Sequence, residues 1–243
     1  MLKPLHQLPA IIQAWALFGC ALLPITEAFA QTLTPSGELR PAVAAVTSYQ
    51  GKILHYDSDG NHSAIHLRSI LPIDQTFFAT KKKGTLFLSL SNGIGLGLGE
   101  LTRIWIDRYE QSTINPPHES LNFEGSVSNL SVRIETGTLA VAFNHLNPQS
   151  LAEFKLPLGR VRVHSVQVLL DVQPDSSCRI SVYQGTATFY YAGTEKREFI
   201  SAGTSFSLSF ESTKQSAIDS VAPLGQLPED RPHLLAAAEY ARL

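Results

Sequence analysis

A chain of 243 residues that is 44% hydrophobic and 16% charged carries enough apolar side chains to bury a core, and its composition is not that of a disordered chain. Its net charge of −2 supplies no basic field for holding phosphates, so nucleic-acid binding is not expected as its main role. Length leaves one or two domains open, and β units of about 200 residues are common as single domains.

The first thirty residues read differently from the rest. Lys3 supplies a positive start, residues 10–23 form an apolar stretch broken by Gln13, and Ala28-Phe29-Ala30 is a small-x-small cleavage site ahead of Gln31. Residues 1–30 are therefore expected to be a signal peptide cut near Ala30. An uncleaved anchor fits less well, because the run is shorter than the roughly 20 residues a bilayer demands and Pro24 follows it. Leu17-Phe18-Gly19-Cys20 resembles a lipobox, but Phe18 is bulky and the residues after Cys20 stay apolar, so lipidation at Cys20 is the weaker reading. No later segment is apolar enough to span a membrane. With Cys20 removed, Cys178 is alone in the mature chain, and its strand-like setting points to a buried structural thiol.

Residues 31–45, with Thr, Pro and Ser at the start, read as a flexible leader. From Val46 the pattern becomes short β-type runs separated by turn residues. Residues 46–56 lead into Asp57-Ser58-Asp59-Gly60-Asn61, a hairpin signal. In residues 85–91, Leu86, Leu88 and Leu90 share one face before Asn92-Gly93, the strongest two-residue hairpin turn. Thr136-Gly137, Leu158-Gly159, Pro174-Asp175-Ser176, Gln184-Gly185 and Ala202-Gly203 punctuate the later runs in the same way. Residues 212–243 are expected to be a proline-containing linker followed by a short helix from Pro232 through Leu234, Leu235 and Ala238. The expected fold is all-β, an antiparallel sandwich or solenoid-like domain over residues 46–211, built of short hairpin strands, with a short C-terminal helix.

Candidate chemical motifs are weak. In Gly93-Ile94-Gly95-Leu96-Gly97-Leu98-Gly99 the glycines recur with the period of a strand and no helix follows to receive a phosphate. The run reads instead as a strand whose bare face lets another element approach. His62 and His66 on one strand would stand some 13 Å apart at about 3.3 Å per residue, too far to share an ion, and His164 has no clustered partners. No Gly-x-Ser-x-Gly elbow is present, and Asp107 with Glu110 is at ordinary surface spacing. Lys81-Lys82-Lys83-Gly84 reads as a solvated hairpin tip that blocks edge pairing, with contact to an acidic partner or anionic envelope polymer as its functional alternative. Tyr183, Tyr190 and Tyr191 are candidates for a binding face. No catalytic, cofactor-binding or metal-ligating residue is assigned, no cofactor is expected, and the protein is read as a non-enzyme.

The order of these segments resembles the FecR domain family of bacterial envelope proteins. The matching features are the opening strand that ends at Gly51; Thr80 followed by residues 86–90 and Ser91-Asn92-Gly93; and Val132-Arg133-Ile134-Glu135-Thr136-Gly137-Thr138-Leu139. Leu156-Pro157-Leu158-Gly159 precedes Arg160-Val161-Arg162-Val163, then come Val182-Tyr183-Gln184-Gly185-Thr186-Ala187 and Ile200-Ser201-Ala202-Gly203, so that the likeness spans residues 46–208. Where the family has Arg-Gly-Thr-x-Phe, this chain has Val163-His164-Ser165-Val166-Gln167. The resemblance implies an all-β periplasmic module that contacts an envelope protein, with a link to envelope sensing. Known members that regulate a sigma factor carry a cytoplasmic domain and a transmembrane helix where this chain is expected to have a signal peptide, so that regulatory role is not implied. The expected function is thus a non-catalytic binding or scaffolding module, periplasmic or secreted. The alternative is a carbohydrate-binding or carbohydrate-active sandwich, marked by a concave aromatic face with carboxylates nearby.

Overall fold

The computed structural model describes residues 38–112, 125–143, 146–211, 216–224 and 231–242. The expected signal peptide, Cys20 and residues 31–37 of the leader lie outside them. Along the described chain run β1 (Arg40–Pro41), β2 (Val43–Gln50), β3 (Ile53–Tyr56), β4 (Ile70–Pro72), β5 (Thr76–Thr80), β6 (Thr85–Leu90), β7 (Gly95–Leu98) and β8 (Arg103–Gln111). These are followed by β9 (Ser128–Ala142), β10 (Leu151–Leu156), β11 (Gly159–Val172), β12 (Cys178–Tyr191), β13 (Arg197–Ser201), β14 (Thr204–Glu211), β15 (Ser216–Pro223) and the helix α1 (Arg231–Arg242). The all-β expectation with a short C-terminal helix therefore holds.

One hydrogen-bonded network joins the strands, and it has two halves. The first half runs β4, β2, β6, β7, β9, β11, β12, β14, β15, and the second runs β3, β5, β8, β9, β10, β11, β12, β13, with β1 on the edge of β8. The long strands β9, β11 and β12 belong to both. In β9, residues 128–136 pair with β8 and residues 129–133 with β10, whereas residues 137–142 pair with β11, and residues 139–142 with β7 as well. In β11, residues 159–164 face residues 186–191 of β12, and after a register shift residues 167–172 pair with residues 178–184. Inward side chains of both halves, among them Leu86, Leu88, Leu96 and Leu98 from the first and Ile104, Ile106, Val132 and Ile134 from the second, form one buried core. Period-two alternation is the cause, because it gathers apolar side chains on the inward face of each strand.

Several expectations are corrected by this topology. Gly137 and Gly185 do have positive φ, +95° and +77°, but the chain continues forward through each. Residues 128–142 and 178–191 are single bent strands, as is Gly159–Val172, so the domain is not built only of short hairpin strands. A hairpin turn and a strand bend both call for glycine in the left-handed region, so the dipeptide alone does not separate them. The pairing of β9 with β10 is parallel, which departs from an all-antiparallel sandwich. Lys81-Lys82-Lys83-Gly84 is exposed along its lysines but is no hairpin tip, since β5 pairs with β3 and β8 while β6 pairs with β2 and β7. It carries the chain from one half to the other. Strand pairing also begins at Arg40, inside the expected leader, and β15 lies inside the expected linker. Such edge strands are held by main-chain hydrogen bonds and need no apolar period, so composition does not reveal them.

The helix docks on the outer face of the first half. Leu234, Leu235 and Ala238 pack with Ala140, Ala142 and Leu169, and Arg231 donates to the buried Asp171 carboxylate, which also accepts from Thr138 Oγ1 at 2.6 Å. Gly95 and Gly97 explain the close approach. A Cβ at Gly95 would lie 1.8 Å from the Ala238 carbonyl oxygen, and one at Gly97 would lie 3.2 Å from that of Leu234. The bare glycine face read from the sequence thus receives this helix. Replacing Gly95 by leucine is expected to expel α1 while sparing the inner core. Hydrogen exchange over residues 231–242 should become fast, and unfolding free energy should fall by about 1–3 kcal/mol.

Candidate binding face

The second half presents its outer face to solvent, and cross-strand register aligns one row of side chains on it. Tyr56 faces Phe77, Phe77 faces Trp105, and Trp105 faces Arg133. Arg133 then faces Lys155, Lys155 faces Arg160, Arg160 faces Tyr190, and Tyr190 faces Arg197. Their chain neighbours Val132, Phe154, Val161 and Phe189 point into the core. Alternation therefore delivers both the core and the row from the same strands.

Rings and cations interleave along this face. The Arg103 guanidinium lies 5.7 Å from the Phe77 ring centre, Arg133 lies 5.5 Å from Trp105, and Arg160 and Arg162 each lie 5.3 Å from Tyr190. Arg197 lies 5.3 Å from Phe199, a ring that is 64% exposed. Such contacts are electrostatically favourable and hold the guanidinium groups in place. Phe77 and Trp105 also contact each other, with ring centres 4.9 Å apart.

Three carboxylates lie among the cations. Asp107 accepts from Arg133 and Lys155 at 2.9 Å each, and Glu153 sits 3.6 Å from Arg160 and 3.1 Å from Arg162. Glu135 accepts from Trp105 Nε1 at 2.8 Å and sits 3.4 Å from Arg103. Burial alone would raise Asp107, but the hydrogen bonds and charges of Lys155 and Arg133 outweigh it and hold the carboxyl below its ordinary range. The side chains of Asp107 and Glu153 are 24% and 11% exposed, while those of Arg133, Lys155 and Arg160 are 48%, 44% and 49% exposed. Arg133, Lys155 and Arg160 are therefore more exposed than the two carboxylates they pair with. Arg103, Arg133, Lys155, Arg160, Arg162 and Arg197 outnumber Asp107, Glu135, Glu153 and the groove's Glu195, so this face is positive on a chain of net charge −2.

At the β12 end the row descends into a groove of about 1140 Å³ between the β10–β11 and β12–β13 turns. Lys155, Arg160, Tyr190 and Arg197 line it together with Glu153 and Glu195. Beside it, Asp219 of β15 accepts from Tyr191 Oη and, at 2.6 Å, from Lys196 Nζ, which fastens the edge strand to the β12–β13 turn. These bonds lower Asp219 and raise Lys196.

Of the residues singled out from sequence, Tyr190 lies in the row and Tyr191 braces the groove, whereas Tyr183 packs near α1. His62 pairs edge-on with Tyr56 through their rings and is not gathered with His66 into a group of ligands among the described residues. Cys178 is buried, and burial pushes its thiol up to about 12, as suits an inert structural cysteine. Arg133, Lys155, Arg160 and Trp105 were not singled out. Their signal was the polar half of each alternation, as in Val132-Arg133-Ile134-Glu135 and Arg160-Val161-Arg162-Val163, which becomes a site only once register places the strands side by side.

No protein family and no curated protein matches the sequence. Two crystal structures of a candidate anti-sigma factor from Parabacteroides distasonis resemble the fold at TM-scores of 0.42 and 0.41, each with 10% sequence identity. Each alignment covers 59% of this chain and 58% of the other. Similarity of this degree carries no role from one protein to the other. No helix among the described residues is long and apolar enough to cross a membrane.

One titratable group lies apart from the row. His55 is 2% exposed, stacks on Phe78 with ring centres 4.6 Å apart, and has Nδ1 2.6 Å from Ser63 Oγ, while its Nε2 is buried without a hydrogen-bond partner. Burial lowers its pKa, with Asp57 opposing and His62 assisting. A folded-state value below the unfolded value of about 6.5 means that the unfolded chain binds the proton first. Stability is therefore complete above about pH 6.5 and declines as pH falls from there toward the folded value, by at most about 1.4 kcal/mol per pH unit for one proton. The thermal midpoint of His55→Asn is expected to fall less steeply than that of the wild type over this range in calorimetric scans.

Proposed function

We propose that the protein is a non-catalytic binding module, exported to the bacterial envelope, that engages an acidic envelope component through the outer face of the second half-sheet. The observation that carries this reading is the in-register row from Trp105 through Arg133, Lys155 and Arg160 to Tyr190 and Arg197, whose cations stand further into solvent than the carboxylates beneath them. The signal-peptide pattern of residues 1–30 supports export, and the resemblance to FecR domains supports an envelope setting and a binding role without a cofactor. On this reading the carboxylates position cations and perform no acid–base chemistry, and Cys178 has no nucleophilic role.

The surface gives such a module selectivity without a deep cavity. Arg presents a planar fork of donors suited to carboxylates, and stacking on rings restricts its motion before a partner arrives. Charge on the face also speeds encounter with an oppositely charged partner and makes it sensitive to salt.

In-cell cross-linking through a photoreactive residue placed at Phe199 is expected to capture a reproducible envelope component. Reversing charge in Arg133→Glu with Arg160→Glu should reduce capture at least about tenfold, since removing a hydrogen bond to a charged group costs about that factor or more. Arg179→Glu, on the first half, should leave it unchanged. Equal capture by the row variant and the wild type would overturn the proposal.

A further inference from the structure

We propose that the occupant of this face is a linear polyuronate, an acidic glycan lying across the strands with its same-side carboxylates on Arg133 and Arg160 and with Lys155 between them. The inference rests on the binding-face reading above and deepens it by naming the ligand class. Geometry carries it. The three cations sit on β9, β10 and β11 at directly paired positions, so their backbones are one strand spacing apart, about 4.8 Å. Arg133 and Arg160 are thus two strand spacings apart, about 9.6 Å, close to the two-sugar repeat at which an extended 1→4-linked glycan returns its substituents to one side. An extended acidic peptide presents same-side side chains every two residues, about 6.6 Å, and would lose register with the row after one contact.

The row also offers what a sugar needs beyond charge. The half-buried Trp105 precedes the three cations, and the half-buried Tyr190 and the exposed Phe199 follow them, giving apolar ring surface against which sugar C–H groups pack. At the Tyr190 end the groove is lined by Arg160 and Arg197 together with Glu153 and Glu195, so it holds both carboxylate binders and acceptors for sugar hydroxyls. Its volume of about 1140 Å³ is somewhat above that of usual ligand clefts and suits the end of a chain rather than a single small ion. Asp107, Glu135 and Glu153 face the same cations. They weaken attraction for any one isolated anion, and a polymer overcomes them by engaging several cations at once.

The test is calorimetric titration of the full chain with an oligogalacturonate long enough to span the row, against a neutral oligosaccharide of equal length, polyglutamate and duplex DNA. Oligogalacturonate should bind, the neutral chain should not, and polyglutamate and DNA should bind at least about tenfold more weakly. Lys155→Gln and Arg160→Gln should each weaken oligogalacturonate binding about tenfold. Arg197→Gln, which removes a groove cation that stacks on Phe199, gives a second reading should either of those variants melt early, and it too should weaken binding. Binding of polyglutamate or DNA as tight as that of oligogalacturonate would overturn the glycan assignment, as would oligogalacturonate binding that none of the variants weakens. If no oligogalacturonate binds while cellular capture still depends on Arg133 and Arg160, the glycan inference falls and the binding face stands. If neither depends on the row, both fall.

Discussion

The three shared strands impose the constraint from which the rest of the molecule follows. β9, β11 and β12 each run through both halves of the sheet, so each must bend sharply while keeping its hydrogen bonds on either side. Gly137 serves this in β9. Its φ is +95°, and a Cβ there would stand 2.4 Å from the Cα of Thr102. In β12 the bend coincides with Gly185, and in β11 with the register shift between His164 and Gln167. Because the halves share backbone, inward residues of both meet in one core, and the register of either half is tied to that of the other.

That coupling positions the two outer faces differently. On the first half, small residues leave a shallow channel: Gly95 and Gly97 on β7, with Ala140 and Ala142 on β9 beside them. Helix α1 fills it, and the Arg231 to Asp171 pair anchors its first turn to β11. An isolated twelve-residue helix is marginal in water, so its stability comes from this apolar contact. Among the described residues no helix covers the second half, and its outer residues interleave rings with long charged side chains.

On the uncovered face, electrostatics follow from depth. Asp107 and Glu153 sit lower in the surface, each between two cations, and the long Arg and Lys stems carry positive charge outward beyond them. Exposed ion pairs of this kind contribute little to stability. Their effect is instead on the field the face presents, positive at the outermost atoms despite the acidic balance of the whole chain.

Much of this fold was legible in the sequence, because strand alternation and left-handed glycines are local properties. The period-two pattern of residues 85–91, the Asn92-Gly93 turn between β6 and β7, the bare glycine face of β7 and the C-terminal helix are each written in neighbouring residues. What the sequence left open depends on partners far along the chain. Gly137 and Gly185 carry the same signal whether a strand reverses or bends, and β1 and β15 exist through pairing with strands whose own apolar pattern is elsewhere. The binding face is the clearest case. Arg133, Lys155, Arg160 and Tyr190 are ordinary outward positions of four separate strands, and only register, set by burial of their inward neighbours and by the bends of β9, β11 and β12, brings them into one row.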